Sequence, residues 1–483
     1  MQESDTTMRA ESRHDATLSR SETTPSAVTR ARGPDRPITT GVSNRMAIQR
    51  ARLVLEELFG PIAHRTFAVR LWDGTIDAPR DASAFPFTFV VTSPGALRRA
   101  LLPPSEFRLA MSFIRGDIDI EGDLERASEL ADTIRARLSS PSAIAALVAH
   151  LLALPDDKAP SGAPRAARGV VQHRDAAAIR FHYDVGNDFY ALWLDREMVY
   201  SCAYFRRGDE TIEEAQQAKL DHICRKLRLL PGERLLDIGC GWGALIRHAV
   251  KHYGVSALGV TLSPSQAAVA NQRIRDAGLS RSCVVELRDY RDLAGMKFDK
   301  IASVGMFEHV GRKRLPSYFR SVFALLEPGG LFLNHGIVEA PEIDSAPSSL
   351  ASRVLWHKGD FIGRLVFPRG ELVRLDEEIA HGEGSGFKTR DVESLREHYV
   401  LTLRKWMQRL EANEAEAIRL VGRETYRTWR LYLAASAQGF ESGRLSLAQV
   451  LFAKPDGKGR IRAPRTREDL YRETPRPLAI ASS

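Results

Sequence analysis

The sequence is poor in cysteine and has no long apolar run. Its four cysteines, Cys202, Cys224, Cys240 and Cys283, form no C-x-x-C pair. That spacing argues against a disulfide framework, predicts no metal site and suits a reducing cytoplasm. No stretch reaches the ~18 apolar residues that cross a bilayer. The longest candidate, Ala143 to Leu154, is broken by His150 and reads as a buried or interfacial helix, with the buried reading preferred. The first residues lack an apolar signal core, so secretion is not indicated. There is no zinc finger, no aromatic RNA-binding signature and no long Lys/Arg block, so nucleic acid is not an expected partner. The formal net charge of +8 is a modest excess, compatible with anionic lipid headgroups. No internal repeat is visible. At 483 residues and 43% hydrophobic content, the chain can bury a sizeable core in two or three domains.

Composition shifts divide the chain. Residues 1–44 are rich in Ser, Thr, Arg and acids without apolar periodicity, which predicts a disordered leader. Residues 45–155 read as a small α+β domain. It has a helix over Met46–Phe59, a hairpin of Phe67–Trp72 turning at Asp73-Gly74, a strand at Phe87–Val91, a helix opening at Pro94-Gly95, and a helical stretch Asp119–Leu138. Residues 156–178, rich in Pro, Gly, Ala and basic residues, read as a flexible linker. From Ile179 strands and helices alternate. The expected strands are Leu235–Ile238, Ala257–Leu262, Cys283–Leu287, Lys300–Val304 and Leu331–Val338, with helices Leu245–Tyr253, Pro264–Ala277 and Leu315–Leu326 between them. This pattern predicts an α/β fold with a doubly wound, mostly parallel sheet. Residues 340–385 form a long insertion, and Asp391–Gly439 is expected to be largely helical. Ser446–Phe452 is expected to return as an antiparallel edge strand. The domain of residues 179–455 is followed by a tail, 456–483.

The stretch LLDIGCGWGALIR, Leu235 to Arg247, is a strand ending in Asp237, a loop with Gly239, Gly241 and Gly243, and a helix start. The spacing D-x-G-x-G-x-G is the form used by S-adenosylmethionine enzymes rather than the dinucleotide form. Missing side chains let backbone amides and a helix N-terminus approach a cofactor closely. Ligands in such sheets bind beyond the carboxyl ends of the strands. Three ends converge there: Asp237 to Gly243, including Cys240; Thr261-Leu262-Ser263 with Gln266 a turn later; and Asp289-Tyr290. Most methyltransferases place an acid after the second strand to grip the ribose. Thr261 stands there instead, so Gln266 and backbone groups have to help. The Asp289 carboxylate can accept from an adenine amino group.

Around this loop, in order, stand FHYDVGNDFYALWLDREMVYSCAYF (181–205), SVGMFEHVG (303–311), FLNHGIV (332–338) and HYVLTLRKW (398–406). Together they closely resemble the cyclopropane-fatty-acyl-phospholipid synthases and mycolic acid cyclopropane synthases, over about residues 179–455. The N-terminal domain resembles, more weakly, the lipid-handling domain of the bacterial phospholipid enzymes. The resemblance implies a class I methyltransferase fold with helical cap insertions. It also implies methylene transfer from S-adenosylmethionine to a cis double bond of a phospholipid acyl chain, with bound bicarbonate as base. By motif position the holders of that ion are Cys202, Glu308, His335, the backbone of Ile337, and Tyr399, while Tyr200 and Ser201 line the cofactor. The implied partners are unsaturated phospholipids at the inner face of a membrane, met peripherally from the cytoplasm through the N-terminal domain and basic residues, with a homodimer also admitted.

An alkene is a poor nucleophile and the cation it forms is trapped by water, so this chemistry needs a dry, apolar, closed site. His335 and Tyr399 can donate to an anion and Glu308 can orient it. Tyr183, Phe205 or Trp406 can offer an aromatic face to a cation. Seen singly, Cys202 reads as a small buried hydrophobe, Glu308-His309 as a helix start and Tyr399 as core; their joint occurrence in family order favours function. Two departures stand out. Ser436 occupies a position where many relatives carry cysteine, and Val373-Arg374 replaces a Pro-Ser pair in a segment expected at the substrate entrance. Competing readings are a methyl- or methylene-branching fatty-acyl methyltransferase, a non-catalytic lipid-binding protein, and a small-molecule O- or N-methyltransferase.

Overall fold

The computed structural model describes residues 41–80, 84–156, 185–340, 360–367, 370–461 and 464–471. The expected leader up to residue 40, most of the linker, Tyr183 and residues 341–359 of the insertion lie outside them. None of the described helices is long and apolar enough to cross a membrane.

The N-terminal sheet holds β1 (Ala68–Arg70), β2 (Ile76–Asp77), β3 (Phe87–Val91) and β4 (Ile118–Gly122) in the order β2-β1-β3-β4. β1 and β2 form the expected hairpin. Asp73 Oδ1 accepts from the Thr75 amide at 3.0 Å, and Gly74 takes φ +89°. The first helix starts at Gly41 rather than Met46, so it reaches into the segment assigned to the leader. The stretch expected to be helical from Asp119 is instead β4, antiparallel to β3, followed by helices Leu124–Ser128 and Leu130–Arg137. The reason is period: Ile118 and Ile120 are buried while Asp119 and Glu121 are not, a two-residue alternation that a helix cannot satisfy. Asp123 then caps the first helix, accepting from the Arg126 amide at 3.0 Å.

The second sheet has seven strands: β5 (Arg234–Ile238), β6 (Ser256–Thr261), β7 (Cys283–Leu287), β8 (Phe298–Val304), β9 (Leu326–Glu339), β10 (Lys388–Ser394) and β11 (Leu445–Ala453). Their order is β10-β11-β9-β8-β5-β6-β7. The strands from β9 to β7 run parallel, joined by helices Ala244–Tyr253, Pro264–Asp276 and Leu315–Leu325. Chain direction across the sheet reverses at β5, so the switch point lies beyond its carboxyl end. β11 is antiparallel to β9, as expected, but it is not the edge. β10 pairs along its outer side, where a helix was expected. The last seven residues of β11 are buried and need cover on both sides, which the polar sequence KTRDVES supplies. Within the expected tail, a short helix Glu468–Tyr471 packs on helix Ile212–Lys226, where Arg228 Nε meets Asp469 at 2.7 Å.

Helices Arg396–Ala412 and Arg423–Glu441 cover the strand ends. The second of these shares a core with the N-terminal helices: Phe113 and Leu124 belong to the same buried cluster as Trp429 and Tyr432. Arg427 is driven into that seam. Its guanidinium donates to the carbonyls of Phe113 (2.7 Å) and Ile118 (3.2 Å) and to Asp119 (2.9 Å), and stacks 4.1 Å above the Phe113 ring.

On the face of β9 opposite His335, Tyr318 Oη donates to Asn334 Oδ1 (2.9 Å) and Asn334 Nδ2 donates to Glu378 Oε1 (2.8 Å). Burial pushes the Glu378 carboxyl up to about 8.

Arg427→Leu strips a donor from two carbonyls and a carboxylate. We expect a loss of about 2 kcal/mol, read as a lower urea midpoint; an unchanged midpoint contradicts the seam. Glu378 keeps in the folded state a proton that the unfolded chain releases near pH 4, so its stabilising contribution is lost as pH rises towards 8. Glu378→Gln should therefore raise the melting temperature, with a gain that grows from pH 5 to pH 8. A pH-independent difference contradicts this.

Candidate active site

Two joined cavities open beyond the carboxyl ends of β5, β8 and β9. The first is lined by most of the expected cofactor set: Tyr200, Ser201, Asp237, Gly239, Cys240, Gly241, Thr261, Leu262, Gln266, Asp289 and Tyr290. Asp237, next to last in β5, is only 3% exposed, with Oδ1 lacking a hydrogen-bond partner. Burial raises its carboxyl to about 7, against the pull of Lys219. Gly239 takes φ +79°, and a Cβ there would stand 2.9 Å from Met306, so the loop can hug the cavity only without side chains. Thr261 Oγ1 donates to Gln266 Oε1 at 2.8 Å. The two residues expected to replace the missing acid thus form one unit, leaving the Gln266 NH2 group for other acceptors.

Two expected residues lie elsewhere. Gly243 caps the helix that follows, packed towards Ala270, and Ser263 caps helix Pro264–Asp276, accepting from the Gln266 amide at 3.3 Å. Neither lines the cavity. The Asp289 carboxylate is held by the amide and guanidinium of Arg291 at 2.7–2.9 Å, and Tyr290 sits edge-on to Tyr318.

The second cavity, about 670 Å³, shares Tyr200, Ser201, Gly305 and His309 with the first. All five residues read as catalytic, Cys202, Glu308, His335, Ile337 and Tyr399, line it. Glu308 lies in a short 3-10 turn after β8, His335 and Ile337 on β9, and Tyr399 on helix Arg396–Ala412. The Ile337 amide donates to Glu308 Oε1 at 2.7 Å, so this N–H holds the carboxyl in place. Glu308 Oε2 is buried without a partner, and burial lifts the carboxyl to about 7. His335 is pushed well below its ordinary range by burial. Its Nδ1 faces Gln449 Nε2 at 3.0 Å, and its Nε2 is buried without a partner. An amide N–H on Nδ1 makes that nitrogen the acceptor and leaves the ring proton on Nε2, which becomes a donor. The Cys202 thiol donates to the carbonyls of Ala203 (3.2 Å) and Leu395 (3.7 Å), and burial pushes it far up; it is a neutral wall.

Tyr200, Tyr399, Tyr432, Phe367 and Phe440 give the cavity its aromatic faces. Phe205 and Trp406, expected in that role, are buried but do not line either cavity. Trp406 backs the site from behind, its ring 5.4 Å from that of Tyr200 and 6.1 Å from that of Tyr399. Ser436 lines the cavity one turn after Tyr432 on the same helix. Leu372 also lines it, whereas Val373 is core and Arg374 is half exposed, paired with Asp376. The outer wall includes Asp132 and Arg135 of the N-terminal part, and Arg444, which pairs with Asp132 and Gln438. Sequence reasoning missed Gln449 and Lys219. Gln449 is a lone amide inside the strand LSLAQVLFA, and Lys219 lies on the inward face of its helix between Ala215 and Ile223, where Gln216, His222 and Lys226 are buried as well.

A family model described as mycolic acid cyclopropane synthetase matches residues 171–450. A protein of Pseudomonas putida named "Probable fatty acid methyltransferase" is 40% identical over 410 residues, 85% of this chain and 97% of its own length. Among solved structures, the cyclopropane synthase MmaA2 of Mycobacterium tuberculosis is 34% identical with TM-score 0.55, covering 59% of this chain and 99% of its own. The mycolic acid cyclopropane synthase CmaA1, complexed with SAH and CTAB, is 37% identical with TM-score 0.54, covering 58% of this chain and 98% of its own. The fold is that of class I methyltransferases.

The Gln449 contact orients His335 without touching the space where chemistry occurs. Gln449→Leu should lower kcat by about 10- to 100-fold, the range for groups that orient a functional ligand, with cofactor affinity unchanged in titration calorimetry. An undiminished kcat would remove Gln449 from this role.

Proposed function

Because the chain belongs to the mycolic acid cyclopropane synthetase family, we propose that this S-adenosylmethionine-dependent methyltransferase acts on cis double bonds of unsaturated phospholipid acyl chains and closes a cyclopropane ring. The observation that carries the reading is the pair of buried atoms Glu308 Oε2 and His335 Nε2, both without protein partners, lining an otherwise largely apolar cavity that opens into the cofactor cavity. S-adenosylmethionine, when bound, supplies an electrophilic methyl carbon for the alkene. The second cavity fits a small oxyanion bearing one acidic O–H, since it offers one acceptor and one donor. Hydrogencarbonate held there by Glu308 and His335 would supply a base for the proton lost from the transferred carbon as the ring closes.

The residues supply the surroundings. His335 donates from Nε2 to the anion and Glu308 accepts its O–H, so both hold it without competing for the substrate proton. Tyr200, Tyr399 and Phe440 face the developing cation with π-electron density. The neutral Cys202 thiol and the capping helices keep water out. Exposed Met46, Leu53 and Leu152 on N-terminal helices support peripheral access to the inner face of a membrane. The name of the Pseudomonas relative favours one alternative, retention of the carbon as a methyl or methylene branch.

In a host lacking such an enzyme and fed labelled methionine, monounsaturated phospholipid chains should gain one labelled methylene and lose their double bond. Labelled chains that keep a double bond or carry a methyl branch would establish the alternative. Unlabelled lipids would defeat both readings. Glu308→Gln should bind S-adenosylhomocysteine normally and lose most turnover. In the native enzyme, kcat/KM should rise with pH through about 7 as the Glu308 carboxyl ionises; a rise centred near pH 4 would contradict its role.

A further inference from the structure

Helix Ile212–Lys226 turns Lys219 into the cofactor cavity, where the side chain is 2% exposed. Its ammonium has three N–H donors, and its hydrogen bond in the protein goes to a neutral acceptor, Ser201 Oγ, at 2.9 Å. Ser201 is itself fixed from behind, because Gln216 Nε2 donates to the carbonyls of Ser201 (2.9 Å) and Val199 (3.2 Å). Asp237 lines the same cavity with Oδ1 unpartnered. Among the described residues no ion pair joins Lys219 to an acid: Asp237 is not within pairing distance, and the Asp195 carboxylate is taken by the amides of Glu197 (2.9 Å) and Val199 (2.7 Å). A buried ammonium and a buried carboxyl therefore face one cavity without pairing directly. That is costly for a fold unless a ligand completes both.

The amino-acid end of the cofactor is a zwitterion, and the two side chains are its complement. We infer that Lys219 binds the α-carboxylate of the cofactor, with Ser201 beside it, while Asp237 takes the α-ammonium. The arrangement fixes which way round the amino-acid end lies, and so which way the sulfonium methyl points. It does not depend on the acyl acceptor. Burial holds the Lys219 ammonium down to about 8, the shift that a bound carboxylate would reverse.

Titration calorimetry with S-adenosylhomocysteine and with decarboxylated S-adenosylmethionine, which keeps the amine and lacks the carboxylate, separates ligand binding from scaffold support. Lys219→Met should weaken S-adenosylhomocysteine by about 10- to 100-fold, the worth of a charge-assisted hydrogen bond, and leave the decarboxylated compound within about 2-fold. Equal losses for both compounds, or no loss for either, would overturn the inference. Should the variant not fold, the native protein decides: S-adenosylhomocysteine must bind at least about 10-fold more tightly than its carboxamide, and equal affinities overturn the assignment.

Discussion

Water exclusion from the space beyond β5, β8 and β9 is the constraint on which the rest of the structure depends. Ionisable groups placed there feel it at once. Glu308 and Asp237 are each lifted towards neutrality, and His335 is held uncharged. Desolvation is the first cause in every case, and partners only moderate it. Such shifts need a seal, and the parallel sheet alone does not provide one. Helices Arg396–Ala412 and Arg423–Glu441 close the strand ends, and the N-terminal helices lock onto them through a common apolar core and the Arg427 seam. The N-terminal part also places Asp132 and Arg135 in the cavity wall, so it belongs to the container of the reaction as well as to the scaffold.

Within that dry space the polar groups divide into two sets. Around the cofactor they are opposite charges kept apart, Asp237 and Lys219, which suit a ligand carrying both signs. Around the reacting chain they are one acceptor, Glu308 Oε2, and one donor, His335 Nε2, which suit a single small anion. Register joins the second set to the sheet. Gln449 stands opposite His335 across the β9–β11 ladder, so the pairing that builds the sheet also selects the imidazole tautomer.

Much of this is legible in the amino-acid sequence. The apolar strands, the Gly loop and the family motifs located the switch point, and all five residues proposed around the anion line one cavity. What escaped reading had physical causes. The strand period of β4 spans only Ile118 to Glu121 and runs straight into the helices from Leu124, so such a short alternation is easily absorbed into the helical stretch that follows. β10 hides its strand character because an edge strand needs little apolar sequence. Gly243 and Ser263 belong to motifs whose members serve helix caps as well as ligands, and spacing does not separate the two. Phe205 and Trp406 are aromatic and near, but orientation is a tertiary property. Gln449 leaves a signal, one amide in an apolar strand, while Lys219 stands among other buried polar residues of its helix; neither pattern says what the side chain faces.

The central claim is that the dry cavity holds an oxyanion base between Glu308 and His335. The most direct test is the initial rate of methyl transfer to monounsaturated phospholipid in buffer stripped of carbon dioxide, with hydrogencarbonate then added back. The account predicts a rate that collapses on stripping and recovers saturably. A rate indifferent to hydrogencarbonate would contradict it.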